Sequence, residues 1–108
     1  MKKIYISGQI TGIESHAPAL FEAAESFLRS KGYNPINPMK LPHNHGRKWE
    51  DFMKEDLKAL MDCDAVYMMS NYTKSDGAKL ELHNAIWLKM AVFHEEYSFV
   101  LDYNKEQQ

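Results

Sequence analysis

The apolar run AVYMM at residues 65–69 constrains the fold most, because five consecutive apolar residues leave no polar face for water. Such a run is typical of a central parallel strand, which is buried on both faces. Residues 4–6 (IYI) predict a second buried strand. Residues 33–37 predict a short strand that pairs on one side only, because Pro35 has no N–H group to donate.

Apolar residues spaced three and four apart predict three helices between these strands. The first begins near Pro18 and ends before Gly32, the second covers residues 49–61, and the third covers about 76–89. The apolar stripe predicted for the first helix comprises Leu20, Ala23, Ala24, Phe27 and Leu28. For the last strand the pattern leaves two candidates, residues 91–93 and residues 97–101.

Strands and helices therefore alternate along the chain, which favours right-handed βαβ units. We expect an α/β fold of the three-layer flavodoxin/Rossmann-like type, with a parallel sheet of four to five strands. The 108 residues are enough for one domain, predicted over residues 1–104, followed by a polar tail at 105–108.

Composition excludes several functional classes. A formal net charge of −2 argues against a binder of nucleic acid polymers or anionic membranes. The single cysteine, Cys63, allows no intrachain disulfide and is expected in the core. The chain shows neither a signal peptide nor an apolar stretch of bilayer length, so a cytoplasmic protein is expected.

Three loops follow the predicted strands, at residues 7–17, 38–48 and 70–77. In open parallel sheets the ligand crevice lies outside the carboxyl ends of the strands, so chemistry is expected on these loops. The first loop carries Gly8 and Gly12, where the backbone can approach a ligand closely or simply turn. It has neither the P-loop nor the dinucleotide-binding spacing.

The start of the third helix combines a capping side chain, Ser75, with the small residues Gly77 and Ala78. The first helical amides are then free for an anion. Glu81 follows within two turns, where the helix dipole would keep its carboxylate ionised and able to act as a nucleophile. The alternative is a glutamate that only complements the dipole or forms a surface ion pair.

Other candidates carry structural alternatives. Asp64 precedes the 65–69 strand, and a residue of the helix-to-strand turn is the favoured alternative. Tyr5 lies inside a strand, where a core aromatic is the alternative. His43 and His45 lack the spacing of known metal motifs, so neither a metal site nor a cofactor is predicted.

Four segments together resemble one family. They are KIYISGQITG at 3–12, INP at 36–38, DL at 56–57 with CDA at 63–65, and SDGAKLE at 75–81. The set resembles the nucleoside 2-deoxyribosyltransferase-like superfamily, within it the short uncharacterised bacterial and phage branch. The resemblance covers roughly residues 2–94. Its site pattern is most similar to the enzymes that hydrolyse nucleoside 5′-monophosphates at the N-glycosidic bond.

The resemblance implies a role for each matching residue. Glu81 is the expected nucleophile, Tyr5 is expected to orient it, and Asp64 is expected to act near the base or the sugar. Ser75 stands where the monophosphate hydrolases carry a phosphate-binding serine. The other implied substrate-binding residues are Ser7, Gly8, Gln9, Ile10, Gly12, Gly77 and Ala78.

The implied function is cleavage of the N-glycosidic bond of a nucleoside or (2′-deoxy)nucleoside 5′-monophosphate, by a hydrolase or a deoxyribosyltransferase. One alternative is a non-catalytic nucleotide-binding or sensing module of the same fold, and another is an interaction protein whose apolar helices form an oligomer. A homodimer or higher homo-oligomer is expected, with Trp49 and Trp87 as contact residues. A small-molecule partner is expected, and neither a nucleic acid polymer nor a membrane.

Overall fold

The computed structural model of the protein describes residues 2–95 and has a four-stranded sheet. The strands are β1 (Lys3–Ser7), β2 (Asn34–Ile36), β3 (Ala65–Met68) and β4 (Ala91–His94). All neighbouring strands are parallel, and their order is β2-β1-β3-β4. The predicted α/β fold is confirmed, and residues 91–94 supply the last of these strands. The alternative strand at 97–101 and the tail at 105–108 lie outside the described residues.

Three helices connect the strands. They are α1 (Ala17–Ser30), α2 (Trp49–Met61) and α3 (Asp76–Trp87). Short 3₁₀ turns at Pro38–Lys40 and Ser70–Lys74 follow β2 and β3. None of the helices within residues 2–95 combines the length and the apolar character needed to cross a bilayer.

The helices cover both faces of the sheet, because successive side chains of a strand point in opposite directions. On β1, Ile4 and Ile6 pack toward Phe21 of α1. Tyr5 points the other way and joins the core cluster that contains Leu60 of α2 and Ala85 of α3. The result is a three-layer arrangement with one helix on one face and two on the other.

The buried stripe of α1 differs from the predicted one. Leu20 and Phe27 are 42% and 41% exposed. The buried positions are instead Ala17, Phe21, Ala24, Glu25 and Leu28. The polar residue on this stripe hid it from the sequence pattern. Glu25 is tolerated there because its carboxylate accepts hydrogen bonds from cationic and amide side chains nearby.

The strand order places a topological switch point between β1 and β3. The connection from β1 to β2 runs through α1 on one face of the sheet. The connections from β2 to β3 and from β3 to β4 run through α2 and α3 on the other face. A crevice is therefore expected at the carboxyl ends of β1 and β3, where the connections that follow the two strands leave over opposite faces of the sheet. The register aligns Ser7 with Met68, and the Met69 N–H donates to the Ser7 carbonyl at 2.8 Å.

Candidate active site

Helix α3 brings Glu81 into the interior beside this crevice. The Ser75 hydroxyl caps the helix by accepting the Ala78 N–H at 3.0 Å. The buried residues Ala78, Glu81 and Ala85 are spaced three and four apart, so they share the face that packs on the sheet. As a result Glu81 is only 4% exposed.

Two hydroxyl groups of β1 hold the Glu81 carboxylate. The Tyr5 hydroxyl donates to Oε2 at 2.6 Å, and the Ser7 hydroxyl donates to Oε1 at 2.6 Å. Tyr5 and Ser7 are two residues apart in the strand, so both side chains point to the same face. Each carboxylate oxygen therefore has one short, charge-assisted hydrogen bond that fixes its position.

Burial raises the pKa of Glu81 to about 7, against the lowering effect of the hydrogen bonds from Ser7 and Tyr5. The negative charge of Asp56 raises it further. The helix dipole expected to keep Glu81 ionised acts mainly within the first turn, and Glu81 is the sixth residue of α3. Burial and the charge of Glu81 raise the pKa of Tyr5 well above 10, so its hydroxyl stays a neutral donor.

Glu81 lies in the wall of a cavity of about 710 Å³. This volume is in the range typical of small-molecule sites. The prediction that three loops meet at one site is confirmed, and α2 forms a further wall. The main lining residues are Gly8, Ile10 and Thr11 of the first loop, Met39, His43 and Arg47 of the second, Trp49, Phe52, Met53 and Asp56 of α2, and Lys74, Ser75, Gly77 and Ala78 around the start of α3.

Asp56 is a second carboxyl group in the cavity wall, and the sequence reasoning gave it no role. Its Oδ1 is buried and has no hydrogen-bond partner within residues 2–95. Burial raises the pKa of Asp56 to about 6. Asp56 lies three residues after Met53 and four before Leu60, the two buried residues of α2. An acid on the apolar face of a helix was the signal that could have identified it.

Positive groups also line the same cavity. The side chains of Arg47 and Lys74 contribute to the lining. The N–H groups of Asp76 and Gly77 begin α3 and have no acceptor inside the helix. Together with the helix dipole, these groups suit an anionic part of a ligand.

Comparison with known proteins adds family and fold. A family model described as "Domain of unknown function (DUF4406)" matches residues 2–94. The chain belongs to this DUF4406 family. No curated protein matches it.

Among solved structures, the 2-desoxiribosyltransferase from Leishmania mexicana is similar to this DUF4406 chain, with a TM-score of 0.66 and 18% identity. The match covers 87% of this chain and 63% of the other, so this chain spans less than two thirds of that protein. At this identity the similarity establishes the fold alone. The predicted nucleoside 2-deoxyribosyltransferase-like fold is confirmed.

The structure separates Asp64 from this site. Its Oδ2 accepts the Lys3 N–H at 2.9 Å, and its own N–H donates to the Lys3 carbonyl at 2.9 Å. Both contacts lie at the amino-terminal edge of the sheet, and β3 runs from there for four residues, roughly 13 Å, to the cavity edge. The structure therefore does not bring Asp64 to the cavity wall, and its contacts are those of the turn alternative. The role of Asp64 near the base or the sugar stays a prediction.

Three residues expected to bind substrate have other contacts. Ser7 bonds to Glu81 and is fully buried. The Gln9 side chain donates to the Thr11 carbonyl at 3.0 Å, and its backbone N–H donates to Asn71 at 3.0 Å. Gly12 adopts a φ of +93°, as a turn glycine does. Of the predicted binding residues, the cavity wall contains Gly8, Ile10, Ser75, Gly77 and Ala78.

Gly8 lies in the cavity wall and packs against Met69 at the end of β3. A Cβ at this position would lie 2.6 Å from the Met69 sulfur and 3.0 Å from the Met69 Cβ. A side chain at this position would require Met69 to shift. The two tryptophans expected at an oligomer contact are exposed, Trp49 by 50% and Trp87 by 74%. The homo-oligomer itself stays a prediction.

Proposed function

We propose that this domain cleaves the N-glycosidic bond of a nucleoside 5′-monophosphate, with Glu81 as the nucleophile. One observation carries the proposal. A buried carboxylate, fixed by two hydroxyl donors at 2.6 Å, lies in the wall of a cavity of about 710 Å³. A carboxylate held in this way suits attack at an anomeric carbon, because its oxygens need no reorientation before reaction.

In the first step an oxygen of Glu81 forms a bond to C1′ while the bond from C1′ to the base nitrogen breaks. The electron pair of that bond goes to the base. The product is a glycosyl ester of Glu81, formed through a transition state with oxocarbenium character. Tyr5 and Ser7 position the attacking group, and substrate binding must favour the ionised form of Glu81 at neutral pH.

Asp56 transfers a proton to the departing base in that step. Its placement supports this role, because its unpartnered Oδ1 belongs to a side chain in the same cavity wall. In the second step water attacks C1′, the ester bond to Glu81 breaks, and Asp56 accepts the proton of the water. A second nucleobase in place of water would make the reaction a transfer instead of a hydrolysis.

The cavity also supports the choice of a phosphorylated substrate. Aromatic side chains of Phe21, Trp49 and Phe52 line it and suit the flat face of a base. Arg47 and Lys74, with the first amides of α3, suit a 5′-phosphate. The phosphate is remote from the bond that breaks, so its binding energy can be used for positioning.

The test is chromatographic detection of free base from a panel of nucleosides and their 5′-monophosphates, with and without a second base. Glu81→Gln is the test variant, because it removes the charge and keeps the size. Glu50→Gln is the matched control, because Glu50 is an exposed glutamate of α2. Release from monophosphates that the control retains and Glu81→Gln loses supports the proposal.

Other results would change the assignment. Product formed only when a second base is present would identify a transferase. Binding of nucleotides without turnover on any substrate would favour the non-catalytic nucleotide-binding module. Equal release by the Gln variant and the wild type would exclude Glu81 as the nucleophile.

A further inference from the structure

His43, His45 and Glu55 form a cluster, here named the His–Glu cluster, that the proposed reaction does not use. The two histidines come from the loop before α2, and Glu55 comes from α2. One ligand atom from each residue lies within 4.8 Å of the others. The ring of Phe52 packs against both imidazoles, with centroids 5.4 and 4.5 Å away. The two imidazole rings are therefore held side by side by packing.

A backbone contact fixes which nitrogen of His45 carries a proton. Nδ1 lies 2.6 Å from the Gly46 carbonyl oxygen, which can only accept. Nδ1 must then carry the proton, and in the neutral ring Nε2 keeps its lone pair. Nε2 lies 3.3 Å from Oε1 of Glu55. Two lone pairs that face each other repel, so a cation belongs between them, either a proton or a metal ion.

His43 presents a second nitrogen to the same oxygen. Its Nδ1 lies 2.6 Å from Oε1 of Glu55, yet the contact lacks hydrogen-bond geometry. That Nδ1 is buried and has no hydrogen-bond partner within the described part of the chain. The other oxygen of Glu55, Oε2, accepts the His43 backbone N–H at 2.9 Å. Glu55 is thus anchored with Oε1 directed at both rings.

We propose that the His–Glu cluster binds one divalent transition-metal ion of the zinc class. Two imidazole nitrogens and one carboxylate oxygen match the donor set of zinc sites with three protein ligands, which leave a fourth position for water or another oxygen. A hydrogen bond from the second ring nitrogen to a backbone carbonyl, as in His45, is the usual support of a metal-binding histidine. The ion would tie the loop that carries Arg47 to α2.

The distances of the two ring nitrogens from Oε1 of Glu55 permit this site with a small adjustment, and the two nitrogens lie within 4.8 Å of each other. Tetrahedral coordination at about 2.0–2.1 Å separates ligand atoms by roughly 3.3 Å. The distance from His45 Nε2 to Glu55 Oε1 already has this value, and the distance from His43 Nδ1 must open from 2.6 Å. All three side chains are partly exposed, so rotation of His43 or Glu55 can supply the change.

The experiment measures zinc binding to the full chain after removal of metal with a chelator, by equilibrium dialysis and by competition with a coloured zinc indicator. His45→Gln and Glu55→Gln are the test variants. His83→Gln is the matched control, because His83 is an exposed histidine of α3 outside the cluster. Circular dichroism verifies that each variant is folded, and His43→Gln replaces any variant that is not.

We expect one zinc ion per chain and at least a tenfold weaker affinity in each cluster variant, with the control unchanged. Addition of Co²⁺ to the metal-free chain is expected to give the intense visible bands of four-coordinate cobalt, which the variants lose. Zinc binding of equal strength in wild type and cluster variants, or no saturable binding, would overturn the proposal and leave a protonated imidazole–carboxylate group. Metal content is measured without substrate, so failure of the proposed reaction would not affect this test.

Discussion

Replacing Glu81 by glutamine removes a buried charge and keeps the shape of the side chain. Glu81 is 4% exposed. Within residues 2–95, the hydrogen-bond partners of its carboxylate are the hydroxyls of Tyr5 and Ser7. A glutamine can accept from one hydroxyl through its oxygen and donate to the other through its nitrogen. The variant should therefore fold, and it should differ from the wild type mainly in its dependence on pH.

The magnitude follows from the pKa of Glu81. Burial raises it from 4.5 to about 7. Each pKa unit corresponds to about 1.4 kcal/mol, so the ionised form of this group destabilises the fold by about 3 kcal/mol. Roughly 2 to 3 kcal/mol of this change falls between pH 5 and pH 8. This is a large fraction of the stability of a small domain.

The sign is fixed by proton binding. Between pH 4.5 and pH 7 the native state holds the Glu81 proton more tightly than the unfolded chain does. The free energy of unfolding therefore falls as pH rises through this window and stays lower above it. The glutamine variant has no proton to lose at this position, so its stability should fall less.

Urea unfolding of wild type and Glu81→Gln at about pH 5 and about pH 8 measures the effect. Tyr5 from β1 and Asp56 from α2 are the titratable groups that raise the pKa of Glu81 or hydrogen-bond to it, and both remain in the variant. Subtracting the pH dependence of the variant removes most of their contribution. If the free energy of unfolding changes between the two pH values by the same amount in both proteins, to within about 0.5 kcal/mol, the raised pKa of a buried Glu81 is refuted.

Three further variants test the roles assigned to individual side chains. Tyr5→Phe removes the 2.6 Å hydrogen bond to Glu81, and kcat for base release should fall about 10- to 100-fold with little change in KM; an unchanged kcat would argue against positioning by Tyr5. Asp56→Asn should slow base release about 10²- to 10⁴-fold, whereas Asp62→Asn, at the exposed C-cap of the same helix, should not; equal rates would remove Asp56 from the mechanism. Ser75→Ala removes a helix cap, so thermal unfolding should show a loss of about 1 kcal/mol of stability. Isothermal titration should show that the substitution weakens the binding of a nucleoside monophosphate more than the binding of the corresponding nucleoside. Equal losses of affinity for the two ligands would contradict a phosphate site at Ser75.

The fold was predictable because its signals are local and periodic. The run at residues 65–69 must be buried on both faces, and the helices between the strands repeat their apolar residues at the helical period. The stripe of α1 was misplaced where a polar residue, Glu25, lies on the buried face. Its partner Arg29 lies one turn further along α1, and its partner Lys40 lies in the 3₁₀ turn after β2. A search for periodic apolar residues does not detect these ion pairs.

The site was predictable where single residues carried the signal. Glu81 was identified from its position after the α3 cap, and the family resemblance paired it with Tyr5. The structure adds Ser7 as a second hydrogen-bond partner of Glu81. Asp64 was named from the family resemblance, but chain direction puts the start of β3 at the sheet edge away from the cavity. Asp56 is a carboxyl group that does lie in the cavity wall. The role proposed for Asp56 depends on the packing of α2 next to α3, and the sequence pattern does not show which helices are neighbours.

The most direct test of the account is the mass of the chain during turnover. A reaction with a nucleoside 5′-monophosphate is quenched in acid, and the intact protein and its peptides are weighed. The account predicts a transient adduct of one pentose 5′-phosphate on the peptide that contains Glu81, absent from Glu81→Gln. Rapid base release without any adduct, and with turnover retained by the glutamine variant, would contradict a glycosyl ester at Glu81.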